Sequence, residues 1–373
     1  MFFLCTAFAF YSERKRRAVV LDSGDTVIKP NLFFVVLSSF PVIFFTGMRG
    51  KIADTGAYIS TFERTDTKYI EEVLKNIGDN KDVGFKLFTY AVKVIFNDYT
   101  VWLFIIAIFS VFCLWRTFYK YSDSVTYSIY LFFGTTSFSW LFNGMRQYIA
   151  VCGMFAMFPL LLKTGNTKKD IRNLLIFTVG TIILASIHMT AIVVFPLFLL
   201  CRGGDILSRT QMLFILFIVM GCAFVGPFTS LISDIFSDTQ YASIGSEFET
   251  YKGASIFRLA VAAIPVFLGL YRIRYARQLK DKLFNFCYNM SLMNVCLMVP
   301  AVVISGNTFG RLAEYADVFN LLLYPMVTYR LYPDRTRRII NVVVVFMYAF
   351  WFYYQIKLTW NWAYISEYLG TIK

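Results

Sequence analysis

Arg146 is the only formally charged residue between Ser124 and Leu162, a 39-residue stretch that is enough to cross a bilayer nearly twice. A guanidinium in or beside such a stretch is costly unless it meets a counter-charge or an anionic ligand. Its surroundings, Asn143-Gly144-Met145-Arg146-Gln147-Tyr148-Ile149-Ala150, are polar or backbone-exposing rather than lipid-facing. Other charges flank apolar runs in the same way. Arg49 ends one in Thr46-Gly47-Met48-Arg49, with Asp54 and Tyr58 shortly after it. Lys252 and Arg258 bracket the entry to another, and Arg311 and Glu314 lie in Gly310-Arg311-Leu312-Ala313-Glu314-Tyr315. His188, in Ala185-Ser186-Ile187-His188-Met189-Thr190, is the only histidine.

Guanidinium groups are planar, permanently charged, bidentate donors to phosphate oxygens. Arginines converging from separate helices at one membrane surface suit a lipid-linked mono- or diphosphate whose tail stays in the bilayer. Were such a diphosphate to leave a sugar, fixed arginines would stabilise the developing charge without a metal. Arg49, Arg146, Lys252, Arg258 and Arg311 are the candidate lipid-diphosphate ligands, and Arg146 and Arg311 the catalytic ones. An attacking hydroxyl then needs orientation and a base, for which His188, Asp54 and Glu314 are candidates, with Glu247 and Glu249 weaker ones. Asp54, Tyr58, Gln147, Tyr148, Tyr251 and Tyr315 are the candidate glycan contacts. Each has a plainer use. An arginine can snorkel or pair with a carboxylate, Asp54 can cap its turn, and a lone histidine can bond a neighbour.

The elements that must position these residues are membrane helices. Hydrophobic residues make up 58% of the 373, and the mean hydropathy of +0.59 comes from repeated long runs, which excludes a soluble domain. The runs are too long and too little alternating for an outer-membrane barrel. The spacing predicts an all-α polytopic protein forming one membrane domain over 1–373. Apolar runs fall near 1–11, 31–48, 100–115, 125–143, 147–162, 173–187, 189–200, 210–227, 257–271, 283–304, 312–329 and 339–356, about eleven or twelve crossings. The stretch 173–200 is too long for one upright helix and too short for two full ones, which predicts two half-length helices broken near His188.

Charge then assigns the faces. With 173–200 crossing twice, the connections 12–30, 116–124, 163–172, 201–209, 272–282 and 330–338 share one side and hold 22 of the 36 Lys and Arg residues but only 8 of the 23 Asp and Glu. That asymmetry marks the cytoplasmic face and puts both termini outside. It also accounts for the net charge of +13 without nucleic acid. The long connections 49–99 and 228–255 fall outside, the first ending in an amphipathic segment, Gly84–Asn97, with Phe85, Phe88, Val92, Ile95 and Phe96 at near-helical spacing. Seven cysteines without a CxxC pair read as small buried hydrophobes. No Walker motif, dinucleotide fingerprint or HExxH occurs, and no cofactor or metal is called for.

The pattern Arg49…Asp54-Thr55…Tyr58, the stretch Met145-Arg146-Gln147-Tyr148-Ile149-Ala150, the His188 segment and Gly310-Arg311-Leu312…Tyr315 resemble the EpsG family of Wzy-like polysaccharide polymerases, from Phe34 to about Pro333. The resemblance implies a metal-independent glycosyltransferase of a bacterial inner membrane, with its site facing outward. It would join undecaprenyl-diphosphate-linked donor and acceptor repeats for O-antigen, capsule or exopolysaccharide, beside a chain-length regulator and a flippase. Where family members often place a small residue and Ser after the histidine, this chain has Met189-Thr190. The competing class is a flippase of lipid-linked oligosaccharide, which needs its key charges along the membrane midplane.

Overall fold

The computed structural model describes residues 1–20, 26–66, 82–236, 248 and 253–372. It is a mostly helical, polytopic membrane protein whose chain divides into two compact units. The first comprises Met1–Ala156, Ile182–Ala191 and Pro333–Lys373, the second Met157–Thr181 and Ile192–Tyr332.

In the first unit α1 (Phe2–Arg14), α2 (Leu32–Gly47), α3 (Thr55–Arg64), α4 (Val83–Phe96), α5 (Tyr99–Tyr121), α6 (Val125–Gly134) and most of α7 (Met145–Met157) follow in order. Helices α1, α2 and α5 pack together, and the Trp115 indole donates to Ser38 Oγ at 2.8 Å across them. Such pairs hold membrane helices, where lipid offers indole N–H no partner. Glu13 at the end of α1 accepts from Ser124 Oγ (2.8 Å) and Thr126 N (3.1 Å), tying α1 to the start of α6. A core of Phe62, Phe85, Val92, Trp102, Leu103, Ile106, Met145 and Ile149 joins α3, α4, α5 and α7. The amphipathic reading of 84–97 therefore holds as α4. Phe85 and Val92 face the core, whereas Ile95 and Phe96 are exposed.

Helix α8 (Thr167–Ile187) and α9 (Thr190–Cys201) meet at His188–Met189, the break expected from the sequence. The first arm is not half-length, however: it begins at Thr167 and its 21 residues are long and apolar enough to span. Only α9, with 12 residues, is short. In the second unit follow α10 (Arg209–Ala223), α11 (Val225–Phe236), α12 (Ile256–Tyr271), α13 (Ile273–Gln278), α14 (Lys282–Val303), α15 (Thr308–Asp317) and α16 (Asn320–Leu331). Helix α14 packs against α10, α12, α15 and α16. There Asn294 and Asn320 both donate to Asp317 Oδ1, at 2.7 and 3.0 Å. The first unit closes with α17 (Asp334–Tyr353), a π-helical turn Tyr354–Thr359, and a hairpin of two strands, Tyr364–Ser366 and Gly370–Ile372.

Three expected spans are interrupted. The run 210–227 becomes α10 and α11, bent by 111° at Phe224, because a helix continued through Pro227 would set its ring against the Ala223 carbonyl. The run 312–329 parts between α15 and α16, beside Asp317. The run 125–143 stops at Gly134, with Thr136 at a left-handed φ of 68°, and resumes as a 3-10 turn, Ser137–Leu141. Among the described residues, four helices have full spanning length (five counting the bent pair) and five apolar helices are shorter, where about twelve crossings were expected. Two short antiparallel strand pairs, Arg17–Val20 with Thr26–Lys29 and Tyr364–Ser366 with Gly370–Ile372, add β structure to the expected all-α fold.

Candidate functional site

Arg146 is placed by a turn that depends on a glycine. Gly144 sits at φ 77°, a left-handed conformation that penalises any side chain, and the chain then enters α7 at Met145. Arg146 thus lies in the first turn of a helix, where the dipole already favours anions over cations. The fold answers with a carboxylate: Arg146 Nη1 donates to Asp82 Oδ2 at 2.9 Å. Arg146 Nε reaches the Tyr58 hydroxyl at 3.4 Å, and the guanidinium carbon stands 5.5 Å from the Tyr58 ring centroid and 5.8 Å from that of Phe85. The Arg146 side chain nevertheless remains 36% exposed, against 6% for Asp82.

Asp82 is the residue sequence reasoning missed. An aspartate just before an amphipathic helix reads as an N-cap, yet Asp82 makes no side-chain cap and adopts a left-handed φ of 57°. Its carboxylate points instead at Arg146, at His188 Nδ1 (3.4 Å) and at the Met189 N–H (3.3 Å). A cap rule broken at a strained residue is the signal that could have found it. The carboxylate favours the His188 tautomer with the proton on Nδ1, leaving Nε2 as an acceptor.

Gly84 lets α4 approach closely enough for this contact. A Cβ there would stand 2.9 Å from Ser186 Cβ and 3.0 Å from its carbonyl carbon, two residues before His188. Helix propensity alone would make Gly84→Ala stabilising by about 1 kcal/mol. We expect the reverse, a loss of about 1–2 kcal/mol from overpacking, read as a lower Tm in detergent and partly recovered by adding Ser186→Gly.

Asp54 is exposed and makes no side-chain cap to α3, so the turn-capping alternative is not what its carboxylate does. With the Asn143 amide oriented to satisfy both groups, that amide donates to Asp54 Oδ1 and Oδ2 at 3.1 and 2.5 Å. Arg49 is fully enclosed at 1% exposure. It donates to Thr46 O (2.5 Å), Thr55 Oγ1 (3.0 Å) and Met145 Sδ (3.2 Å), and its guanidinium stacks over the Phe142 ring at 5.2 Å. Burial pulls its pKa down to about 9. The C-terminal hairpin pins this connection, with Gly50 N donating to Ile365 O (2.8 Å) and Ser366 Oγ to Met48 O (2.6 Å). Gln147 (2% exposed) and Tyr148 (0%) are core residues, the Tyr148 hydroxyl lying 3.0 Å from Ser137 Oγ. The ring face that a sugar would need is already covered by protein.

Arg49, Asp54, Tyr58, Arg146, Gln147, Tyr148 and His188 therefore belong to the first unit, and Arg258, Arg311, Glu314 and Tyr315 to the second. Arg311 and Arg258 are exposed, while Glu314 (6%) and Tyr315 (1%) are buried. Tyr251, Lys252, Glu247 and Glu249 lie outside the described residues. Among the described residues no group of three or more His, Cys, Asp or Glu side chains could hold a metal ion, and all seven cysteines are free thiols.

No curated protein and no solved structure matches the chain at a significant level. The model of the EpsG family matches residues 32–368. That range takes in the Arg146, Asp82 and His188 segments and extends past Pro333 through α17 into the C-terminal hairpin that bonds to Met48 and Gly50. Matched over most of its length, the chain belongs to the EpsG family, a family of Wzy-like polysaccharide polymerases.

Proposed function

We propose that this protein joins undecaprenyl-diphosphate-linked oligosaccharide repeats at the outer face of a bacterial inner membrane. Family membership supports the coarser part, a polysaccharide-polymerase-type activity in a multi-pass membrane protein. The observation that carries the finer part is the Arg146–Asp82–His188 cluster: a guanidinium anchored at one nitrogen by a buried carboxylate and still one-third exposed.

In the proposed reaction an acceptor hydroxyl attacks the anomeric carbon of the donor sugar. The bond from that carbon to the diphosphate oxygen breaks, and the lipid diphosphate leaves with the electron pair. Arg146 stabilises the departing oxygens, helped by the N–H groups of the first turn of α7. His188 Nε2 takes the hydroxyl proton while Asp82 holds the ring through Nδ1. The exposed Asp54 and the half-buried Tyr58 orient the sugar. Arg49 positions Met145 and the α7 entry rather than touching phosphate, and Gln147 and Tyr148 hold α7 in the core. Arg258 and Arg311, exposed in the second unit, are proposed contacts for lipid diphosphate there, with Glu314 and Tyr315 supporting that helix.

Purified protein in proteoliposomes, supplied with lipid-diphosphate repeat units, is expected to yield longer glycans and one released lipid diphosphate per new linkage. Movement of intact repeat units between leaflets with no lengthening would establish the flippase instead.

A further inference from the structure

A cavity of about 790 Å³ opens within the second unit, where the connections α7–α8, α9–α10 and α13–α14 meet. Its lining carries six cationic side chains, Lys163, Arg202, Arg209, Arg277, Lys280 and Lys282, against one carboxylate, Asp205. The neighbouring carboxylates are otherwise engaged. Asp281 caps α14 through Leu283 N (2.7 Å) and Phe284 N (3.1 Å) and pairs with Arg330 at 2.6 Å. Asp170 accepts from Thr164 N (2.8 Å) and Oγ1 (2.7 Å).

Retention of basic residues on the cytoplasmic side explains why these three loops are rich in Lys and Arg. It does not require the charges to converge on a concavity, and here the local structure brings them together. Gly203 lies beneath Lys163: a Cβ there would stand 2.6 Å from Lys163 Cε and 2.8 Å from Nζ, so a side chain at 203 would push the ammonium aside. Lys282 Nζ donates to Lys163 O at 2.8 Å, fixing the rim. Arg202 gives one nitrogen to Asp170 O at 3.0 Å, while its Nε is buried with no hydrogen-bond partner. The contact to Asp170 O holds the Arg202 guanidinium at the cavity wall. The α10 N-terminus, at Arg209, adds its positive dipole end, whereas that of α14 is already met by Asp281. The size suits a small ligand or a headgroup.

We propose that this cavity binds a phosphate anion: either the headgroup phosphate of an anionic lipid or a free phosphate compound, held by Lys163, Arg202 and Lys282. Basic pockets among membrane helices on the cytoplasmic side take such headgroups, and the same donors serve a soluble diphosphate. The site is independent of the polymerase reading and does not stand or fall with it.

The full-length protein in phosphatidylcholine nanodiscs, with and without phosphatidylglycerol, separates the sources when inorganic pyrophosphate is titrated in. Retention of phosphatidylglycerol through purification, seen by native mass spectrometry and unmoved by pyrophosphate, assigns the lipid. Saturable binding of pyrophosphate assigns the free anion. In either case Lys163→Gln/Lys282→Gln and, separately, Arg202→Gln are expected to weaken binding about tenfold or more. Arg335→Gln/Arg338→Gln, which removes the same charge from exposed positions outside the cavity, should leave binding unchanged. Binding of neither probe by the wild type, or equal losses in both double variants, overturns the proposal.

Discussion

Arg146→Ala is expected to lower the rate of glycan lengthening in proteoliposomes about 10²–10³-fold, the loss seen when one preorganised donor to a developing oxyanion is removed. The size follows from the division of labour at the guanidinium. One nitrogen is committed to Asp82 and the Nε edge faces Tyr58, while about a third of the side chain stays exposed, where a diphosphate can reach it. The effect should fall on kcat more than on KM, because charge on the leaving diphosphate is greatest in the transition state. Arg146→Ala also strands a carboxylate that is 6% exposed, which could unfold the unit rather than disable the chemistry. Arg146→Lys separates the two outcomes. An ammonium keeps the charge beside Asp82 but cannot serve the carboxylate and a diphosphate in one plane. We therefore expect wild-type Tm with lengthening still about tenfold or more reduced. Full activity in a well-folded Arg146→Lys protein would remove the bidentate argument, and full activity in a folded Arg146→Ala protein would remove Arg146 from the mechanism.

How far such residues are legible in sequence differs from place to place. Hydropathy located both ends of α14 to within one residue and the start of α5, but its run for α5 stopped at 115, where charged and polar residues enter a helix that continues to Tyr121. It joined α10 to α11 and α15 to α16, because a window average does not register a local break such as the one before Pro227. The isolation of Arg146 was visible, since a lone charge in an apolar stretch needs no structure to be conspicuous. The burial of Arg49 was not. Its partners, a backbone carbonyl, a hydroxyl and a thioether, come from segments up to 96 residues away and carry no charge pattern. Asp82 was hidden for the opposite reason. It sits where local rules already supply an explanation, an aspartate ahead of a helix, and only the folded chain shows that it declines the cap.

That refusal leads to the second large effect. Asp82→Ala is expected to lower lengthening about 10²-fold although Asp82 touches neither sugar nor diphosphate in the proposed reaction, a loss of the size general-base catalysis supplies. The carboxylate is shared by Arg146 Nη1, His188 Nδ1 and Met189 N, so removing it frees the donor and the base together. If Asp82 works only through those two side chains, the losses cannot multiply. Asp82→Ala combined with His188→Ala should then be little worse than the more damaging single variant, and the same should hold with Arg146→Ala. A purely structural role predicts a different pattern: lower Tm, less folded protein, and unchanged kcat per folded molecule. Asp82→Asn sharpens the comparison. It keeps the volume, yet its amide nitrogen would face either the Met189 N–H or the donors of both Arg146 and His188, so at least one contact must open and the negative charge is lost in either case. Asp82→Asn is therefore expected to fold with near wild-type Tm and to retain less than about a tenth of the activity, a deficit of 1.4 kcal/mol or more in the barrier. Multiplicative losses in the double variants would mean that Asp82 acts on the reaction by a route other than Arg146 and His188, and the three-residue cluster would not be the working unit.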